Sequence, residues 1–536
     1  LGWLFLPVLA CLPVACLADG IQGCLRGDTS ARAAAADHAA GGPKAASTKG
    51  PKATTWLDGW WDLLLRKSQR SGPVFVKLGQ WAATRRDLLP EAWCDQLGKL
   101  HDDTEAHPLA FTHKVLAEAF PKNRPEGAWH KKLLIEPKPV GSGCIAQVYL
   151  GYLILDDEPG TAKAKDKASA SSSAVAPRCM LGLRALCRPC LPSGSYAEVA
   201  SSKLQRCIKV AVKVVHPQVR RAVDIDLKVL RLAAWASERA GLDHLGCSLM
   251  LRQFADFLEA QTDLRLEAKN LRTFRQLLGP SSAVDGPVII PEVFERWVAS
   301  DALVMSFEEG EPIHELLTAG PTELAKEQMA AWKILVDLFW AMVFQHRFVH
   351  GDMHPGNLFW RRGKGGSVQI VVLDCGLVID LTGQPGEDLS MMVKAFLTRP
   401  EEEVAGMLIQ LSERVGGRAE DVVDPSGFIT GIANLIREGK TVKYQLSKLN
   451  AGALMGRSML LGRRHRVRFD ARFVNLMVAM VVLQGVAMRL CGDGDIVVRM
   501  MPYVLGAAVT NLKATIGGGS RGRKAPEPEE EPSYER

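Results

Sequence analysis

The stretch FVHGDMHPGNLF, Phe348 to Phe359, sets two histidines, two glycines, an aspartate, a proline and an asparagine in eight residues between apolar flanks. Such a run reads as a metal nest, a structural turn or a catalytic loop. Zinc on His350 and His354 would need more nitrogen or sulfur ligands than the neighbouring sequence supplies. For the loop taken alone, the structural turn stays open, so the decision rests on the rest of the chain.

Working outward, the segment Thr322–His346 ahead of the loop reads as one long amphipathic helix. Behind the loop, RRGKGGSVQIVVLDCG reads as a hairpin: a Gly-rich turn, then the apolar strand Val368–Leu373. The remainder is largely helical to Ala514. Phe473–Met488 is uncharged, but at 16 residues with Asn475 and Gln484 it reads as a buried core helix. A bilayer span needs about 20 apolar residues. The basic run Arg463, Arg464, Arg466, Arg468 before it is a solvated face or a contact for anionic lipid.

Upstream, Trp56–Leu100 reads as helical, with Trp56, Trp60 and Trp61 on one face. IAQVYLGYLIL and CIKVAVKVV read as strands, separated by an Ala-, Ser-, Lys- and Pro-rich insertion, about 156–202. Asp224–Leu278 is helical in pattern, and PVIIPEVFERWVASDALVMSFEEG returns to short strands. Gly20–Thr55 and Gly517–Arg536 have the composition of disordered segments.

The totals add limits. The 536 residues, 47% hydrophobic, allow a large core, and a net charge of +7 makes no case for nucleic acid. Twelve cysteines without regular spacing argue against a disulfide framework. Cys187-Arg188-Pro189-Cys190 offers half a zinc site and lacks a second such pair, which leaves free thiols in a loop as the other reading. The uncharged Leu1–Leu17, the cleavage-like Ala15-Cys16-Leu17-Ala18 and the acid-poor stretch after it read as organelle targeting, with a short membrane anchor as the alternative.

Four pieces carry chemistry. In PVGSGCIAQVY, Gly141, Gly143 and Ala146 reproduce GxGxxG with its third glycine replaced, and Val148 follows. Such a turn can bring Ser142 and backbone N–H groups over phosphates; by itself it is as easily a hairpin turn. In VAVKVVHP, Lys213 sits inside an apolar strand, where an ammonium wants an anionic partner. In DLRLEAKN, Glu267 lies on a helix between that lysine and the loop, where a kinase holds its lysine with a glutamate. In the loop itself, Asp352 and Asn357 are five apart with His350 two before, the spacing of the kinase H-R-D-x-x-x-x-N loop. Asp374 opens DCG seventeen residues after Asn357, at the end of a strand, in the place of D-F-G. One carboxylate can orient a nucleophile's proton; a second, with an asparagine, offers hard oxygens to Mg²⁺.

Upstream of the glycine turn, GPVFVKLGQWAATRRDLLPEAWCDQLGKLHDD contains Lys77-Leu78-Gly79-Gln80. Joined to GSGCIAQVY, VAVKVVHP, LEAKN, HGDMHPGN and LDCG, this KxGQ stretch resembles the UbiB/ADCK family of atypical kinases, also called aarF-domain kinases, over roughly Trp56–Leu505. KLGQWAATRRDL and QTDLRLEAKNL look most like its mitochondrial branch, aarF-domain kinase two. The resemblance implies an α+β, protein-kinase-like two-lobed fold. Its parts would be a leader and low-complexity segment (1–55), a helical KxGQ extension (56–135), an N-lobe (136–310), a helical C-lobe (311–514) and a tail (515–536). It implies an ATP-dependent phosphotransferase or ATPase with ATP and Mg²⁺ as cofactors, tied to ubiquinone or other isoprenoid-lipid metabolism. The partners would be a lipid, a quinone precursor or a membrane surface, in a mitochondrion or plastid. Lys213 would meet the phosphates and pair with Glu267, Asp352 would be the base, and Asn357 and Asp374 the Mg²⁺ ligands. Lys77, Gly79 and Gln80 would lie on a helix folded over the site.

This chain departs from the family pattern in three places. It has Gly141 and Gly143 where many members have an alanine-rich loop. The family's ExD reads Gln261-Thr262-Asp263, which leaves Asp263 as the carboxylate for Lys77. HGD and DCG stand for HAD and DFG, and Cys375 is too small for a phenylalanine-driven switch. Two other functions fit parts of the pattern. Small-molecule phosphotransferases of the aminoglycoside or choline kinase type also use HGD, but the KxGQ helix is foreign to them. A nucleotide-sensing scaffold without turnover is the reading from a different class.

Overall fold

Strand alternation and helix stripes in this sequence build an α+β chain, here in a computed structural model. The structure describes residues 56–71, 73–84, 106–120, 129–154, 207–217, 219–239, 261–279, 286–320, 324–441, 451–492 and 498–506, and a few single positions between. The leader, the 156–202 insertion with Cys187 and Cys190, the 515–536 tail and the side chain of Gln80 lie outside the described residues. The chain divides into two units. One comprises Leu1–Glu315, Asp352–Val378 and Gly452–Leu460; the other comprises Leu316–Gly351, Ile379–Ala451 and Leu461–Arg536.

The first unit opens with helices α1 (Trp56–Ser71), α2 (Pro73–Thr84) and α3 (Leu109–Ala119). Trp60 and Trp61 are buried edge to face, with Trp93 against Trp61. Then come β1 (Leu133–Ser142), β2 (Ala146–Ile154), β3 (Cys207–Val215), α4 (Val219–Arg239), α5 (Leu264–Leu278), β4 (Val288–Ile289), β5 (Val293–Val298), β6 (Ala302–Ser306) and β7 (Glu311–Pro312). A five-stranded antiparallel sheet runs in the order β1-β2-β3-β6-β5.

Period-two alternation gives that sheet two different faces. Val210, Val212 and Val214 of β3 are fully buried with Tyr149, Leu116, Phe120 and Trp297, which forms the core under α3. The opposite face carries a cross-strand row in which Gly141 pairs with Val148, Val148 with Lys213, and Lys213 with Leu303. Directly paired residues point the same way, so the glycine strand, Val148 and the lysine share one surface.

The second sheet of this unit follows the opening loop. β8 (Leu358–Arg362) and β9 (Val368–Val372) form an antiparallel hairpin, and the sheet order is β4-β9-β8-β7. The Gly-rich turn has φ values of 72° at Gly365 and 79° at Gly366, backbone that an L side chain resists.

The second unit is mainly helical, with α6 (Ala325–Trp340), α7 (Gln384–Thr398), α8 (Glu401–Arg414), α9 (Pro425–Thr441) and α10 (Ala471–Leu490). The single helix expected over Thr322–His346 is corrected here: α6 ends at Trp340 and Ala341–His346 is a π-helical turn. Trp340 and Phe344 stack at 5.7 Å across the widened turn, and Arg347 at φ 53° stops it. Helix α10 is long and apolar enough to cross a membrane, yet Val474, Leu476, Ala479, Leu483, Val486, Ala487 and Leu490 are buried inside the protein. That burial, against α6, agrees with the core-helix expectation for Phe473–Met488.

Gly151 in β2 has no room for a side chain. A Cβ there would lie 2.8 Å from the Leu134 carbonyl oxygen and 3.1 Å from Val212 Cγ2. Backbone cannot yield as a side-chain tip can, so Gly151→Ala is expected to cost about 1–3 kcal/mol in urea denaturation with unchanged slope. A loss below about 0.5 kcal/mol would show that the sheet opens without strain.

Candidate active site

The centre of the site is one ammonium. Lys213 Nζ lies 2.8 Å from Glu267 Oε1, 2.8 Å from Glu267 Oε2 and 2.8 Å from Asp374 Oδ2. An ammonium has three donors, and here each has an oxygen. The lysine side chain is 14% exposed and Glu267 4%, whereas Asp374 keeps 40% open. Strand β3 supplies the lysine, helix α5 the glutamate, and the segment after β9 the aspartate, all within the first unit.

Helix α5 explains why Glu267 points inward. Its buried stripe is Leu264, Glu267, Ala268, Leu271 and Phe274, so the glutamate occupies a slot on the apolar face. Asn270, one turn on, donates from Nδ2 to the Cys375 carbonyl at 2.8 Å, and the same helix therefore grips the DCG backbone. Cys375 is fully buried; burial first, then Asp374 and Glu267, push its thiol well above the usual range.

Burial works against the charge on Lys213, but Asp374 and Glu267 outweigh it and hold the lysine above its ordinary value. For Glu267, burial first and Asp374 second raise the pKa to about 7, with Lys213 pulling the other way. One positive charge thus faces two carboxylates.

Residues 352–359 of the opening loop belong to the same unit as this cluster. His350 is buried in the short strand Phe348–His350. Asn357 donates from Nδ2 to the Asp352 carbonyl at 3.0 Å, which leaves its Oδ1 as acceptor, and Leu373 N–H donates to the Asn357 carbonyl at 3.0 Å. With Leu358 paired to Val372, the hairpin brings Asn357 to the end of the sheet where Asp374 follows. Asp374 Oδ1 accepts from Gly376 N–H at 2.8 Å. The Asp352 side chain is 32% exposed, and His354 Nε2 stands 3.8 Å from its Oδ2. His354 Nδ1 accepts from Gly356 N–H at 3.0 Å, so in the neutral ring the proton is on Nε2, toward Asp352. The oxygens of Asp374 and Asn357 are the hard donors that could hold Mg²⁺.

The glycine turn closes β1 to β2 through Gly143-Cys144-Ile145. Gly143 N–H donates to the Ala146 carbonyl at 2.9 Å and is committed within the turn. Ser142 Oγ is buried with no hydrogen-bond partner, an orphan that a phosphate oxygen could satisfy. A Cβ on Gly141 would meet nothing within 4 Å.

In the KxGQ segment, Lys77 is half-buried and Gly79 buried on α2, which packs along α4. Asp263 caps α5: its Oδ1 accepts from Arg265 N–H at 3.0 Å, and the Arg265 guanidinium takes both its oxygens. The carboxylate that the sequence offers to Lys77 is thus engaged by its own helix.

Comparison with known proteins bears on this arrangement. A model of the ABC1 atypical kinase-like domain matches residues 186–408, a span that holds Lys213, Glu267, Asp352, Asn357 and Asp374. Over that span the chain is similar to the ABC1 atypical kinase-like domain. An ABC1 family mitochondrial protein of Saccharomyces cerevisiae is 26% identical over 485 residues, covering 83% of this chain and 67% of that one. A Schizosaccharomyces pombe protein of the same description is 24% identical, covering 84% and 66%. A probable protein kinase UbiB of Pseudomonas entomophila is 26% identical, covering 81% and 69%. The chain therefore spans roughly two thirds of the length of these relatives. A Mycobacterium tuberculosis protein solved with erythromycin overlays at a TM-score of 0.41 and 18% identity, over 76% of this chain and 82% of that one, too loosely to bear on the fold. The glycine turn and the KxGQ helix lie outside the matched span.

Sequence reasoning missed Asn270 and His216. Asn270 had a signal, one helical turn from Glu267 in LEAKN; His216 closes VAVKVVHP but touches the glycine turn only through the fold.

Lys213→Met would leave Glu267 buried beside a second carboxylate. The expected loss is about 3 kcal/mol at pH 7.5. It should shrink at pH 5.5: Lys213 lowers the pKa of Glu267, so the variant keeps its proton to higher pH than wild type, whereas at pH 5.5 both folded proteins already hold it. Denaturation at both pH values measures this, and an equal loss at both would remove Glu267 as the stranded charge.

Proposed function

We propose that the ABC1-type chain binds Mg-ATP on the first unit and transfers or hydrolyses its terminal phosphoryl group. The observation that carries this is Lys213, saturated by Glu267 and Asp374 on the sheet face that also presents Gly141 and Val148. In this reading Lys213 exchanges its contact with Asp374 for the α/β-phosphates, Glu267 holds the lysine in place, and Val148 packs on the base. Ser142 and the turn from Gly141 to Gly143 cover the phosphates. Mg²⁺, when bound, neutralises charge between phosphates; Asp374 and Asn357 hold it. Asp352, tied to Asn357 through its carbonyl, orients and accepts the proton of the attacking hydroxyl or water.

The acceptor belongs to the finer part of the proposal. The likeness to UbiB kinases and to mitochondrial ABC1 proteins supports a role in ubiquinone or other isoprenoid-lipid metabolism in mitochondria, at a lipid or membrane surface. Helix α2, with Lys77, Gly79 and Gln80, would cover the site and exclude protein substrates.

The test is ADP release by purified protein, with and without lipid vesicles and quinone-precursor mimics. Asp352→Asn should keep Mg-ATP affinity within about threefold yet lower turnover by 10²–10⁴-fold, the range for loss of a general base. Asp374→Asn should lose both. Turnover retained in Asp352→Asn removes that residue as base, and wild-type binding without ADP release points to a nucleotide-sensing scaffold.

A further inference from the structure

Behind the glycine turn lies a chain of hydrogen-bonded side chains that ends on the Gly143 carbonyl. His107 N–H donates to Gln147 Oε1 at 3.1 Å, which fixes the amide with Nε2 toward Tyr149 Oη. Tyr149 is fully buried and pairs with Thr112 Oγ1 at 2.8 Å. Thr112 Oγ1 also pairs with His107 Nε2 at 2.9 Å, and His107 Nδ1 faces His216 Nδ1 at 2.7 Å. The Gly143 carbonyl only accepts, so His216 presents Nε2–H to it at 2.8 Å. In neutral rings His216 Nδ1 is then the acceptor and His107 Nδ1 the donor between them. Burial first, then His216, lowers the pKa of His107 to about 4, and burial lowers that of His216, as neutral rings require.

His216 holds the turn twice. Besides the ring contact to Gly143, its backbone N–H donates to the Ile145 carbonyl at 2.8 Å. Both carbonyls belong to the short link between β1 and β2, and His216 follows directly after β3, three residues beyond Lys213. The far end of the relay is Thr112 on α3 and the residues just before that helix.

We propose that His216 is a positioning residue of the glycine turn, and that the relay through His107 makes the turn's placement depend on the segment that enters helix α3. This rests on the nucleotide reading of the site for its effect on ATP, but not for its effect on the turn. A shift of His107 takes away the donor that keeps His216 in its Nε2–H tautomer, and the Gly143 carbonyl then loses its partner.

Two measurements on full-length wild type, His216→Phe, His216→Gln and His107→Phe test it. The first is hydrogen exchange of the 141–146 backbone, which should quicken at least tenfold in both Phe variants. His216→Gln keeps an N–H that can reach Gly143 and should stay within about threefold of wild type. The second is affinity for Mg-ATP against adenosine. His216→Phe should weaken Mg-ATP about tenfold and adenosine less than twofold, a split that general destabilisation would not give. Unchanged exchange at the turn in folded His216→Phe, or in His107→Phe where the former does not fold, overturns the proposal. Equal losses for ATP and adenosine overturn it as well. Failure of the nucleotide reading shows separately, as no Mg-ATP binding by wild type or no loss in Lys213→Met.

Discussion

One buried ammonium with three oxygens around it organises the first unit. Lys213 cannot stay charged on an apolar strand unless helix α5 and the end of β9 both approach it. That requirement fixes the rotation of α5, because Glu267 must share a stripe with Leu264 and Leu271. It also fixes the exit of the hairpin, because Asp374 must reach the same nitrogen. The sheet register then carries the constraint to Val148 and Gly141. Remove the charge and nothing else in the described residues would join these three elements at a common point.

How much of this could be read beforehand depended on whether the signal was local. The Asp352–Asn357 spacing, the hairpin with its glycines and the lysine inside VAVKVV are patterns of neighbours, and backbone geometry acts on neighbours. Glu267 was legible only from its order in the chain, on a helix between the lysine strand and the loop. The π turn after Trp340 was not, since apolar periodicity does not separate a widened turn from an ordinary one. The capping bond between Asp263 and Arg265 was hidden for a related reason: a cap two residues long leaves no mark in apolar periodicity. The histidine pair joins positions 109 apart, which no window along the chain spans.

The glycine turn shows how a motif can be present while its parts are used differently. Gly143 spends its N–H on Ala146, and Gly141 faces open space with no positive φ to justify it. The group left wanting is the Ser142 hydroxyl. The Gly143 carbonyl, by contrast, is held from behind by the His216 imidazole.

Helix α5 grips two different things one turn apart: a side-chain ammonium through Glu267 and a main-chain carbonyl through Asn270. A pair of pins on one shaft cannot be withdrawn singly. Any roll of the shaft about its axis pulls both at once, so the strand lysine and the DCG backbone are released together or kept together.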